Sequence, residues 1–129
     1  MRYVGVDLHK SSFYVTYLEE SGKVSHREYR MKQLDEFKRD VGGEDVVAIE
    51  ATGNSHYFVK QIGGLVKEMQ IVNPSQFRVI KDSIKKTDKH DSELLALFLS
   101  KGLLPAVRPK EDIHAQLKSL AQTRDKLVK

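Results

Sequence analysis

The stretch YVGVDLHKSSFYVTYLEESGKVSHREY, residues 3–29, reads as three short strands in succession. Tyr3 to Asp7 is a buried-type apolar run, Phe13 to Leu18 is rich in β-branched and aromatic residues, and Lys23 to Tyr29 alternates weakly. Glu19-Glu20-Ser21-Gly22 supplies the turn between the second and third. Together they predict an antiparallel meander.

Downstream the period changes. Leu34, Phe37 and Val41 mark one face of a short helix closed by Gly42-Gly43. Asp45 to Glu50 is a fourth strand, and its continuous run Val46-Val47-Ala48-Ile49 suits a strand covered on both faces. After the turn Thr52-Gly53-Asn54, Tyr57, Phe58, Ile62 and Leu65 fit a helix that Gly63-Gly64 weakens at its end. Met69 to Val72 is a fifth strand, ended by Asn73-Pro74; Asn73 and Ser75 can serve as turn and cap around Pro74. Phe77 to Ile84 reads as a short helix or an ordered loop, and Asp88 to Lys101 as a stronger helix with Gly102 as its stop. Tyr57, Phe58, Phe77 and Phe98 are expected in the core.

Leu103 to Pro109, with two prolines, reads as a linker, and Ile113, Leu117, Leu120 and Leu127 then form one stripe of a last helix. That helix reaches Lys129 without a stop signal, which predicts a truncated product. The order β-β-β-α-β-α-β followed by helices resembles ribonuclease H rather than a doubly wound nucleotide-binding domain. The latter expects a glycine-rich first turn, which Gly5-Val6-Asp7-Leu8-His9 lacks. The expected fold is α/β and ribonuclease H-like: a mixed five-stranded sheet with flanking helices over residues 1–103. Residues 104–129 are expected to be a linker and the start of a helical connector.

A chain of 129 residues fits one domain, and 40% apolar with 31% charged residues is ordinary for a globular protein. With no cysteine, disulfide, thiolate-zinc and cysteine-nucleophile chemistry are all excluded. No apolar run reaches membrane-spanning length, and the chain starts directly on a strand-like segment, so a cytoplasmic location is expected. The net charge of +4 is mild, but its distribution is uneven. Arg78, Lys81, Lys85, Lys86 and Lys89 crowd one short stretch, with His90 next. Such a rim suits phosphate, although a solvated face would look the same.

Within and beside that rim lie the acids that most need explaining. Asp7 and Glu50 each end an apolar strand, so neighbouring strands would bring them together at the sheet edge where such folds place ligands. Asp88 and Asp91 stand at i and i+3, on one helix face. Like charges held together raise their own proton affinity, and divalent cations would relieve that cost. Hard oxygen ligands without cysteine or paired histidines select Mg2+ or Mn2+ over zinc. Two such ions about 4 Å apart can serve phosphodiester chemistry without a side-chain general base. Each acid also has a plainer explanation: Asp88 as an N-cap, Asp91 as a first-turn acid, Asp7 as a turn residue, Glu50 as a backbone cap near Thr52. His9 and Lys10, beside Asp7, could face phosphate or water, and His26, His56, His90 and His114 show no zinc spacing.

Four segments in order, Val4-Gly5-Val6-Asp7-Leu8-His9-Lys10, Ile49-Glu50-Ala51-Thr52-Gly53, Val72-Asn73-Pro74 and Lys86-Thr87-Asp88-Lys89-His90-Asp91-Ser92, resemble the amino-terminal domain of the DEDD-type insertion-sequence transposases. That family also includes the pilin-gene-inverting site-specific recombinases. The resemblance maps the family's acidic quartet onto Asp7, Glu50, Asp88 and Asp91 and implies a resolvase-like version of the ribonuclease H fold that binds divalent metal. It further implies recombination of mobile DNA, in many members directed by a structured guide RNA, with homo-oligomeric assembly of the full-length protein. Lys10, Arg78, Lys81, Lys85, Lys86 and Lys89 would then contact nucleic-acid backbone. Full-length members carry a carboxy-terminal domain with a serine believed to attack DNA. Only the start of the connector to it is expected here, from about residue 111. The isolated piece is therefore expected to bind metal without completing recombination.

Three other readings compete. A stand-alone Holliday-junction resolvase or ribonuclease-like nuclease would cut branched DNA or hybrid by itself. A non-catalytic nucleic-acid-binding module would be indifferent to loss of any acid. An ATP-binding domain related to sugar kinases shares the sheet order but wants glycine-rich loops near residues 5–12, where only Gly5 is found.

Overall fold

The computed structural model describes residues 1–53, 55–84 and 90–107. The meander forms as expected: β1 (Arg2–Leu8), β2 (Ser12–Glu19) and β3 (Val24–Arg30) pair antiparallel in sequence. A 3-10 turn at Met31–Gln33 leads into α1 (Leu34–Asp40), followed by β4 (Asp45–Glu50) and α2 (Ser55–Ile62). Then come β5 (Glu68–Val72), α3 (Pro74–Ser83), α4 (Asp91–Ser100) and β6 (Ala106–Val107). The sheet order is β3-β2-β1-β4-β5-β6, with β1, β4 and β5 parallel to one another. This is a mixed α/β architecture compatible with the ribonuclease H-like expectation.

Period-two alternation divides the strands between two cores. Val4, Val6, Phe13, Val15, Val47, Ile49 and Ile71 face one side, where Phe37 of α1 and Phe58, Val59 and Ile62 of α2 cover them. The rings of Phe13, Tyr29, Phe37 and Phe58 pack there at centroid separations of 5.0–5.6 Å. Val46, Ala48 and Val72 face the other side, beneath Phe77 of α3 and Leu94, Leu95 and Leu99 of α4. The register of β1 on β4 is held at its start by Arg2, whose Nε and Nη2 donate to the two carboxylate oxygens of buried Asp45 at 3.0 and 2.8 Å.

Gly5 is the point on which the second layer rests. A Cβ there would stand 2.0 Å from the Ser92 carbonyl oxygen and 2.7 Å from the Ala96 nitrogen, so α4 can lie on β1 only because that side chain is missing.

Three expectations need correction. Tyr57 is 55% exposed, because α2 turns Phe58, Val59 and Ile62 inward and leaves Tyr57 on the opposite face. Leu65 lies beyond the end of α2 and is 42% exposed. The stretch read as a linker contributes a sixth, two-residue strand: Val72 pairs with Ala106 and Ile71 with Val107, so β6 takes up backbone groups at the β5 edge. The ambiguous segment before it resolves as helix α3, capped by Asn73, whose Oδ1 accepts from the Ser75 and Gln76 amides, with Pro74 at its first position. The last helical stripe, from Ile113 to Leu127, lies outside the described residues.

Candidate functional site

Asp7 and Glu50 follow the paired positions Val6 and Ile49 by one residue each, on adjacent parallel strands. Alternation places both on the side of the sheet that α3 and α4 cover, since Tyr3 and Gly5 share the face of Asp7, and Val46 and Ala48 that of Glu50. Asp91 opens α4 directly above, behind an extended N-cap at His90. The helix start expected at Asp88 lies outside the described residues, as do Lys85, Lys86 and Lys89.

The three described acids feel one another. Burial raises the Asp7 carboxyl above its ordinary range; His9 pulls it back, and the Asp91 charge adds to the rise. Burial likewise raises Glu50, which the cations Lys81 and Arg78 oppose and the charges of Asp91 and Asp7 reinforce. His9 Nε2 lies 3.3 Å from Asp7 Oδ2. Lys81, in the last turn of α3, donates from Nζ to Asp91 Oδ2 at 3.1 Å. Among the described residues no group of three or more His, Asp or Glu side chains is arranged to hold a metal ion. An ammonium stands among these acids instead.

The seating of Asp91 depends on the residue after it. Ser92 is fully buried, and its Oγ shares a hydrogen bond of 2.8 Å with Thr16 Oγ1 on β2. Thr16 in turn meets His26 Nδ1 of β3 at 2.9 Å, and His26 Nε2 approaches Glu93 Oε1 at 3.7 Å. Two strands and α4 are thus tied together by a polar chain one residue from the acid. Tyr14, paired in register with Asp7, stacks near His26 at 5.8 Å and lies 4.6 Å from the His90 ring, so an aromatic wall borders the acids.

The plainer explanations of the acids fare unevenly. Thr52 N–H is taken by Ser55 Oγ at 3.0 Å, so that amide does not need Glu50. Asp7 lies within β1 rather than in a turn. Asp91 does sit in a helical first turn, where its charge also suits the helix dipole. Lys10 and Arg78 are exposed, and Arg78 is near enough to act on Glu50, whereas Lys81 is engaged by Asp91. Gly5, Thr16 and Ser92 escaped the sequence reading. Only Gly5 left a signal there, as a lone glycine inside a strand.

The donor set can be judged by its chemistry. It consists of oxygen ligands from three separate elements, two of them with proton affinities raised by burial and by neighbouring negative charge, and a cation already drawn in. By donor chemistry such a set would suit a hard divalent ion, while the described side chains by themselves are not gathered to hold one.

Comparison with known proteins finds similarity to transposases. A family model described as Transposase, that of the DEDD transposases of the IS110 type, matches residues 4–129. A Pseudomonas aeruginosa protein named as a probable family 20 transposase is 28% identical over 129 residues, which is 98% of this chain and 37% of that protein. The chain therefore spans well under half the length of this relative.

Proposed function

The chain belongs to the DEDD transposase family, and from that premise we propose that it is the metal-binding catalytic domain of a DNA transposase or site-specific recombinase. The observation that supports this most is the convergence of Asp7, Glu50 and Asp91 from β1, β4 and α4 on one face of the sheet, with Asp7 and Glu50 raised in proton affinity. Asp7, Glu50 and Asp91, joined by Asp88, would hold Mg2+ or Mn2+. The bound ion would supply Lewis acidity at a phosphoryl oxygen.

Each residue of the chain then has a task. His9 steadies the Asp7 carboxylate, and the Ser92–Thr16–His26 chain fixes the height of Asp91 above the sheet. Lys10, Arg78, Lys81, Lys85, Lys86 and Lys89 provide positive charge for nucleic-acid backbone. DNA is the substrate. A structured guide RNA, a carboxy-terminal domain bearing the attacking serine and homo-oligomeric assembly complete the full-length reaction. Among the described residues no helix is long and apolar enough to cross a membrane.

The test is strand cleavage and strand transfer by the full-length protein carrying Asp7→Asn, Glu50→Gln or Asp91→Asn. A loss of at least about a hundredfold, with DNA binding retained, is expected for each. Undiminished activity in any of the three removes that residue from the metal set. Metal-dependent cutting of junctions or hybrids by the 129-residue chain alone would instead favour the resolvase reading.

A further inference from the structure

We propose that Lys81 is the resident counter-ion of the acidic cleft, occupying the cation position until a divalent metal arrives and giving up Asp91 when it does. The inference rests on the metal reading above and adds a residue-level competition to it.

Three observations carry it. Lys81 Nζ pairs with Asp91 Oδ2 at 3.1 Å while its charge also reaches Asp7 and Glu50, so one ammonium serves acids from three elements. The group is compact and carries three donors on a flexible stem, which lets it stand in for an ion. It is also free to leave: the side chain is 30% exposed, and the Phe77 ring lies 5.1 Å from its nitrogen, giving the stem a surface to pivot on.

A divalent ion bound to Asp91 would sit within a few ångströms of that ammonium. At that range the two positive charges repel each other, and partial burial limits how far solvent screens them. Lysine and metal therefore exclude each other at Asp91. Once displaced, the ammonium can pair with a phosphate oxygen of bound nucleic acid. Metal and nucleic acid then favour one another's binding, because metal drives Lys81 off Asp91 toward phosphate and phosphate draws it away from the metal position. Without DNA, Lys81 weakens metal binding without abolishing it, and the metal-free cleft holds its shape.

The test is titration of the 129-residue chain with Mn2+, followed by calorimetry and water-proton relaxation, alongside thermal melting without metal. Lys81→Met and Lys81→Gln should bind Mn2+ roughly five- to tenfold more tightly than the unaltered chain. Both should melt lower when metal-free and gain more from added Mn2+. Lys81→Arg, which keeps the charge, should stay near the unaltered affinity. Circular dichroism identifies any variant that fails to fold, and the remaining neutral variant then decides. Equal or weaker Mn2+ binding by a folded neutral variant, with the unaltered chain binding normally, overturns the counter-ion role and leaves the metal site standing. Absence of Mn2+ binding in every form, neutral variants included, overturns the metal reading and this inference together.

Discussion

At Gly5 a methyl group would lie 2.0 Å from the Ser92 carbonyl oxygen, so replacement by alanine must push α4 off the sheet. Overpacking of this kind costs about 1–3 kcal/mol, and the displaced helix carries Asp91 with it. Gly5→Ala should therefore lower the urea midpoint and weaken Mn2+ binding together; a drop in stability with unchanged metal affinity would detach the two. Glu50 makes a different prediction. Its carboxyl, like that of Asp7, holds its proton more tightly in the folded chain than in the unfolded one, whose ordinary values are 4.5 and 3.8. The folded state is then favoured most when both acids are protonated. That advantage is lost as pH rises from those ordinary values through the raised ones. Glu50→Gln should flatten part of this fall and leave the metal-free protein at least as stable as the parent at neutral pH. Urea denaturation at a series of pH values checks it, and a neutral-pH loss greater than about 1 kcal/mol would mean that the Glu50 carboxylate is well satisfied without metal.

Among the elements, α4 matters most to the site, and it is held by polar as well as apolar contacts. Leu94, Leu95 and Leu99 bury its lower face, but the first turn is positioned by Ser92 on Thr16. Thr16→Val keeps the shape of the side chain and removes the shared hydroxyl, leaving buried Ser92 short of a partner and exposed His26 without its Nδ1 contact. A cost of about 1–3 kcal/mol is expected from unfolding curves, and a neutral result would show that the chain does not seat the helix. Much of the element order was legible beforehand. The strands announced themselves through apolar runs and alternation, and β4 was bounded correctly because Asp45 and Glu50 frame an unbroken apolar stretch. The two-residue β6 was not, since a pair of residues between prolines carries no period and gains its place only by meeting the β5 edge. Tyr57 was misplaced for a related reason. An aromatic beside Phe58 could turn either way, and the packing of Phe58, Val59 and Ile62 decided which.

For the whole molecule, the sheet converts distance in sequence into proximity. Residues 7, 50 and 91 come from a meander strand, a parallel strand and a crossing helix, and they share one face because β1 and β4 are neighbours with matched alternation. Two of those placements could be read from strand ends alone. The salt link of Lys81 to Asp91 could not, because it depends on how α3 returns across the sheet, and sequence spacing placed Lys81 only in a phosphate-binding rim. The most direct measurement is a crystal of this chain soaked in Mn2+ and examined by anomalous scattering. A peak within coordination distance of carboxylate oxygens from Asp7, Glu50 and the Asp88–Asp91 pair, with the Lys81 ammonium moved off Asp91, is the predicted result. A manganese peak bound elsewhere, or no peak with Lys81 still on Asp91 at saturating Mn2+, would contradict the account.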